Sequence, residues 1–278
     1  MLHNQLIQPA ALGRARLPGR TRQQQSSARA APETPGQLPP QGGTIAREVL
    51  LPADRAKLNR DDDRRWYTQP RFVQHSDDAF RRQLTQLYAE RIPEGGAVLD
   101  LCSSWVSHLP PGKRCSQVVG HGLSAEELAR NPVLDSWFVR DLNTEPDGWA
   151  LADQSFDAVL CCCSVQYMQQ PERVFAEIYR VLKPGGVVII SFTNRLFYEK
   201  AVAAWRDGTG YSRTQLVKQY ILAVRGFTEP ETVTAVGVPP PSGPLEAAAR
   251  AVTSFLQRAS GDPFYGVLTY RNWKRVDE

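Results

Sequence analysis

What this 278-residue chain has little of bounds it first. It holds five cysteines, an odd number, and Cys161, Cys162 and Cys163 are consecutive, which excludes a disulfide framework and fits a reducing compartment. No stretch of 18 uncharged apolar residues occurs, which excludes a membrane-spanning helix. Excess charge is absent from most of the chain. Residues 47–278 carry 28 basic and 28 acidic residues, so bulk charge gives no support for a surface that tracks phosphates or for nucleic acid as a partner. Chemical signatures are missing too. There is no Gly-x-Ser-x-Gly elbow, no Gly-x-x-x-x-Gly-Lys-Ser/Thr loop, and no Gly-x-Gly-x-x-Gly after the first strand, which removes the common hydrolase, triphosphatase and nicotinamide-dehydrogenase readings.

The formal net charge of +4 therefore sits in residues 1–46, where Arg14, Arg16, Arg20, Arg22 and Arg29 face only Glu33. That segment is rich in Gln, Ala, Pro and Ser, without hydrophobic periodicity, and runs through Pro35 to Gly43 as PGQLPPQGG. Arg-rich and nearly acid-free, it reads as a disordered organelle transit peptide, chloroplast ahead of mitochondrion. A plain extension would leave the protein cytoplasmic.

Residues 47–96 form an N-terminal extension with one helix, and residues 97–278 a single domain with an insertion at about 239–260, where three prolines precede an Ala-rich stretch. From Ile45 to Arg65 the chain reads as a loose lead-in, with Asp61, Asp62 and Asp63 as a solvated turn. Phe80, Leu84, Leu87 and Tyr88 lie on one helical face behind Ser76 and Asp77, predicting a helix over Asp77 to Glu90. Short apolar runs then alternate with helical patterns. Strands are expected at Ala97 to Leu101, Gln117 to Val119, Trp137 to Val139, Phe156 to Cys162 and Val187 to Phe192, with helices at Ser124 to Arg130 and Pro171 to Leu182. A helix over Arg213 to Val224 and strands at Thr232 to Val238 and Phe264 to Tyr270 follow. This alternation predicts an α/β fold, a doubly wound and mainly parallel sheet.

Ligands of such a sheet sit beyond the carboxyl ends of its strands. The informative residues are Asp100, Cys102, Ser103 and Ser104 after the first strand, Gly120, His121, Gly122 and Leu123 after the second, Asp141 and Leu142 after the third, and Cys163 and Ser164 after the fourth. Strand alternation puts Cys161 and Cys163 on one face and Cys162 on the other, as small apolar fillers. Spacings of five, six and five among Cys102, His108, Cys115 and His121 match no compact zinc pattern.

The order resembles the class I S-adenosylmethionine-dependent methyltransferases, type 11. It is carried by Ser155-Phe156-Asp157 in the fourth strand and by Arg180-Val181-Leu182-Lys183-Pro184-Gly185-Gly186 at the turn into the fifth. Val98 to Trp105, Arg140 to Asn143, Ser191 to Arg195 and Pro70 to His75 resemble a plant and algal methyltransferase-like subgroup. The resemblance implies a Rossmann-like, seven-stranded sheet with an antiparallel last strand, S-adenosyl-L-methionine as cofactor, and transfer of a methyl group to a small-molecule or protein acceptor. It also implies that Asp100, Cys102, Ser103, Gly120, Gly122, Leu123, Asp141, Leu142, Cys163 and Ser164 surround the cofactor, with Asp141 accepting from the adenine amino group and Leu142 flanking the ring. Two departures stand out. Cys102, Ser103 and Ser104 replace a glycine-rich turn, and Gly122 replaces the acid that accepts the ribose hydroxyls, for which Glu126, Glu127 or His121 is the substitute. Methyl transfer asks chiefly for in-line positioning, plus a base where the acceptor carries a proton, and His108, Tyr167 and His75 are the candidates. The alternative is a methyltransferase-fold protein without turnover, serving as a binding or scaffold module.

Overall fold

The computed structural model describes residues 23–24, 43–237, 243–246, 248 and 261–273. Gln23–Gln24 forms a two-residue strand, β1, at the edge of the sheet. Helices α1 (Asp63–Trp66) and α2 (Asp78–Arg91) lead into β2 (Ala97–Leu101), β3 (Gln117–Gly122), α3 (Ala125–Arg130), β4 (Ser136–Val139) and β5 (Phe156–Cys162). The chain continues through α4 (Pro171–Val181), β6 (Leu182–Phe192), α5 (Ala203–Arg206), α6 (Gly210–Leu222), β7 (Glu231–Val233) and β8 (Tyr265–Tyr270). Sheet order is β1-β4-β3-β2-β5-β6-β8-β7, parallel throughout except for β8, which runs antiparallel to both neighbours. The expected seven-stranded, doubly wound sheet with an antiparallel last strand is thus present, with β1 added at one edge.

Most boundaries fall within two residues of the pattern. Asp77 caps α2 by accepting from the Phe80 amide at 2.8 Å, and Pro171 opens α4, where its missing N–H costs nothing. A Thr209/Ser212 capping box starts α6 at Gly210, ahead of the expected Arg213. β7 stops at Val233, shorter than the expected run to Val238. The insertion at 239–260 falls almost wholly outside the described residues.

The sheet is coated on both faces. One cluster gathers Leu99, Val159, Cys161, Ile190, Phe175, Ile178 and Tyr220 under α4 and α6. The other gathers Val98, Leu160, Ile189, Phe80, Leu84 and Leu87 under α2. A register shift between Phe156 and Ala158 acts as a bulge, which is why these two residues serve opposite faces despite their even spacing.

The lead-in is more ordered than its sequence suggests. The amides of Gly43 and Ala46 donate to the carbonyls of Ala176 and Ala223, and those of Asn59 and Ala203 bind Glu199 and Ala56. Glu172, buried at the start of α4, accepts from the Val49 and Leu50 amides and from both terminal nitrogens of Arg55. A buried carboxylate demands such partners, and it gathers them from the extension. Gly43 and Ala46 are thus tied to the body of the domain, and Leu50 joins the core.

Candidate functional site

The winding reverses between β2 and β5, and there a cavity of about 440 Å³ opens beyond the strand ends. Two residues shape its floor by breaking strand alternation. Cys102 and Cys163, immediately after β2 and β5, have φ of 54° and 52°, a left-handed conformation uncommon without glycine. Cys102 consequently packs with the cluster that holds Leu101 and Cys161, while Cys163 joins the opposite cluster beside Cys162. This corrects the expected facing of the three consecutive cysteines, because the alternation rule fails where φ turns positive.

The serine-rich turn is built around acids. Asp100 is 6% exposed and accepts from the hydroxyls of Ser103 at 2.6 Å and Ser107 at 2.5 Å. Burial pushes its carboxyl above the ordinary value, and the two hydroxyls offset part of that. Ser104 donates to Glu127 at 2.5 Å, and the other oxygen of Glu127 accepts from the Arg71 amide at 2.7 Å. The Cys102 amide donates to His121 Nδ1 at 3.1 Å, and His121 Nε2 lies 2.8 Å from the Arg140 carbonyl, which assigns the ring hydrogen to Nε2. The Ser103 amide reaches the His121 carbonyl, so the turn leans onto β3. A Cβ on Gly122 would lie 2.6 Å from the Ser103 carbonyl oxygen. The two departures are therefore one: the turn occupies the space that a side chain at 122 would need.

Of the ten residues expected around a cofactor, the structure brings nine to this cavity: Asp100, Cys102, Ser103, Gly122, Leu123, Asp141, Leu142, Cys163 and Ser164. Gly120 is not among them, since it lies inside β3 with Leu134 against its Cα, where a Cβ would meet Leu134 Cδ1 at 2.4 Å. Asp141 is buried. Its Oδ1 accepts from the Asn143 amide at 2.9 Å, a turn-capping bond, and its other oxygen takes no hydrogen bond among the described residues. Of the substitutes for the missing acid, Glu127 and His121 line the cavity, whereas Glu126 is exposed and pairs with Arg130.

The candidate bases also reach the cavity, in different states. The Tyr167 phenol accepts from the Phe197 amide at 2.9 Å, and burial pushes it up to about 12, which suits a donor better than a base. Partial burial holds His75 below the ordinary histidine value, so its ring is uncharged at neutral pH. His108 lies beside Cys162.

One wall was not foreseen. Asp63, Trp66 and Tyr67 line the cavity from the N-terminal extension. Asp63 is no solvated turn residue: it pairs with Lys57 and with Lys200 at 3.0 Å, and accepts from Asn143 at 2.9 Å. Arg71 stacks its guanidinium 4.6 Å from the Trp66 ring and 5.4 Å from that of Phe197. Among the described residues, two buried polar atoms on the lining lack partners, Trp66 Nε1 and Gln166 Oε1. Gln166 is 2% exposed, and its Nε2 donates to the Cys163 carbonyl at 2.9 Å, which fixes the amide orientation. The adjacent Trp66-Tyr67 pair was the available signal. Gln166 gave none.

The fold is an α/β domain whose doubly wound, mainly parallel sheet ends in an antiparallel last strand, with the cavity at its switch point. Residues 101–190 match the methyltransferase domain family. Two curated relatives are malonyl-[acyl-carrier protein] O-methyltransferases. That of Hahella chejuensis is 30% identical over 135 residues, 46% of this chain and 46% of that protein. That of a Marinomonas species is 34% identical over 71 residues, 26% of this chain and 25% of that protein. The chain thus matches less than half the length of these relatives. A solved S-adenosylmethionine-dependent methyltransferase from Mesorhizobium loti is 17% identical, covers 66% of this chain and 96% of its own, and superposes with a TM-score of 0.41.

Proposed function

We propose that the protein is an S-adenosylmethionine-dependent methyltransferase acting on a small-molecule or protein acceptor. The observation that carries this reading is the cavity at the switch point, which is lined by two buried acids, Asp100 and Asp141, and by an orphaned acceptor, Gln166 Oε1. A buried carbonyl oxygen without a partner costs about 1–3 kcal/mol, so a bound group that donates to it is favoured. The donor set fits a ligand with a cationic end and a flat base. Asp100 with Ser103 would hold the ammonium group, Asp141 and Leu142 the adenine, and Glu127 or His121 the ribose. When bound, the cofactor supplies an electrophilic methyl group. The chain's own part is to align the acceptor against the Trp66, Tyr167 and Phe197 wall and to shield the reaction from water. His75, uncharged at neutral pH, is the base for an acceptor that must lose a proton, with His108 as second candidate.

Calorimetric titration with S-adenosylmethionine and with its demethylated product tests this. Absence of both heat and thermal shift would sink it. O-methyl transfer, the activity in the relatives' names, gives the first acceptor to assay, a malonyl-acyl carrier protein. A second reading, binding without turnover, is favoured by one observation: the hydroxyls of Ser103, Ser104 and Ser107 all serve protein carboxylates. Cofactor binding with no label transferred to any acceptor pool would favour it. We further propose that residues 1–46 are an organelle address, tested by fusing them to a fluorescent reporter. A diffuse cytoplasmic signal would refute that.

A further inference from the structure

Two thiols meet under the floor of the cavity. β2 and β5 are adjacent and parallel, with Leu101 opposite Cys161, so Cys102 stands one residue beyond that pair. Regular alternation would send its side chain to the other face. The left-handed backbone returns it, and Cys102 packs in the same cluster as Cys161. Neighbouring strands lie about 4.8 Å apart and one residue adds a rise of about 3.3 Å, so Cα atoms offset by one residue across the pair lie roughly 6 Å apart, inside the span of roughly 4.4–6.8 Å that a disulfide bridges. Both thiols are free. Cys102 lines the cavity and is partly exposed, while Cys161 lies fully buried behind it. A hydrogen bond from Cys161 holds the Cys102 thiol below the ordinary cysteine value, and the same contact, with burial, raises Cys161. Methyl transfer as described above uses neither sulfur.

We propose that Cys102 is an oxidation site for hydroperoxides, that Cys161 is its resolving partner, and that the resulting disulfide closes the cofactor cleft. In the first step the Cys102 thiolate attacks a peroxide oxygen. An S–O bond forms as the O–O bond breaks, the sulfur is oxidised to sulfenic acid, and the peroxide is reduced to an alcohol or water. In the second, the Cys161 sulfur attacks the Cys102 sulfur. The S–S bond forms, the S–O bond breaks, and the departing hydroxide leaves as water with the Cys161 proton. A dithiol reverses the change. Drawing the Cys102 sulfur toward the sheet shifts the turn that holds Ser103 on Asp100 and Ser104 on Glu127. This closing effect rests on the function proposed above, whereas the thiol pair does not.

The two are tested apart. Full-length protein treated with hydrogen peroxide, alkylated and peptide-mapped should show Cys102 linked to Cys161, reversibly by dithiothreitol. In Cys161→Ala, Cys102 should instead persist as a sulfenic acid trapped by dimedone. If both cysteines remain alkylatable, or if Cys102 links to Cys162 or Cys163, the pair is refuted. Titration with S-adenosylmethionine should show an affinity loss of about tenfold or more on oxidation, the weight of one lost charge-assisted hydrogen bond. Unchanged affinity of the fully oxidised protein refutes the closing effect. A reduced protein that binds no cofactor removes the methyltransferase reading and the closing effect with it, and leaves the peptide map to decide the thiol pair.

Discussion

Gly122 shows how a single position carries information about its neighbours. Its Cα faces the Ser103 carbonyl so closely that no side chain fits while the turn keeps its course. Gly122→Asp, which installs the acid typical of the resembled family, is therefore expected to lower both the melting temperature and the cofactor affinity; a gain in affinity would show that the turn yields freely. Asp141→Ala should weaken S-adenosylmethionine by about 1.5–3 kcal/mol, the range for a bond to a charged group, and calorimetry that finds no change would remove Asp141 from the adenine site. Asp100 gives a pH signature. Its folded value lies above the ordinary one, so the folded state holds more protons in that window, and stability falls as pH rises from about 4 through the raised value. Urea titrations of wild type and Asp100→Asn across that range should diverge accordingly, with the variant losing the fall. Parallel curves would mean that the carboxyl titrates normally.

At the scale of elements, α1 acts as part of the binding wall because of one ion cluster. Lys57 and Lys200 are 5% and 4% exposed and share Asp63. Burial alone would raise the Asp63 carboxyl, but the two ammonium groups outweigh it and hold it below the ordinary value. Its contribution to stability is thus present above about pH 4 and is lost as pH falls through the lowered value. Asp63→Asn leaves two buried cations sharing no carboxylate and should cost about 3 kcal/mol or more by denaturant titration. Hydrogen exchange should quicken over residues 43–77 first; uniform exchange across the chain would argue that the cluster holds no particular element. None of this was legible beforehand. Three adjacent aspartates look alike in sequence, and only the fold delivers lysines from positions 57 and 200 to the third of them. The strands and α2 were legible because burial imposes period two or period 3.6 on their residues, as Phe80, Leu84 and Leu87 show. β7 was overextended because its three residues are not buried and its end carries no punctuation.

Over the whole molecule, the legible part of the site was its strand ends, nine residues that topology alone gathers. The missed part, Trp66, Tyr67 and Gln166, comes from segments whose placement depends on tertiary contacts. The formal charge divides along the same line, since the excess lies ahead of a body that is neutral by count. Deleting residues 1–42 should leave cofactor affinity unchanged and shift the melting temperature by no more than the small share of the β1 edge; a large loss of either would show that the segment belongs to the folded body. Deleting residues 1–62 should abolish binding, because it removes Lys57 and Arg55 together with the chain that leads into α1.

Gly43 lies against Val224 and Tyr179, with a Cβ position only 2.4 Å from Val224 Cγ1, and its amide is tied to α4. If the organelle address proposed for residues 1–46 is removed, the protease that removes it has a limited window in which to cut. Cleavage on the amino side of Gly43 yields a protein with an intact seam, whereas a cut a few residues later would expose Val224 and free the strap that leads to the binding wall. On that proposal the amino terminus left by cleavage would be set by packing as much as by any recognition sequence, and terminal sequencing of the processed protein should find it at or before residue 43.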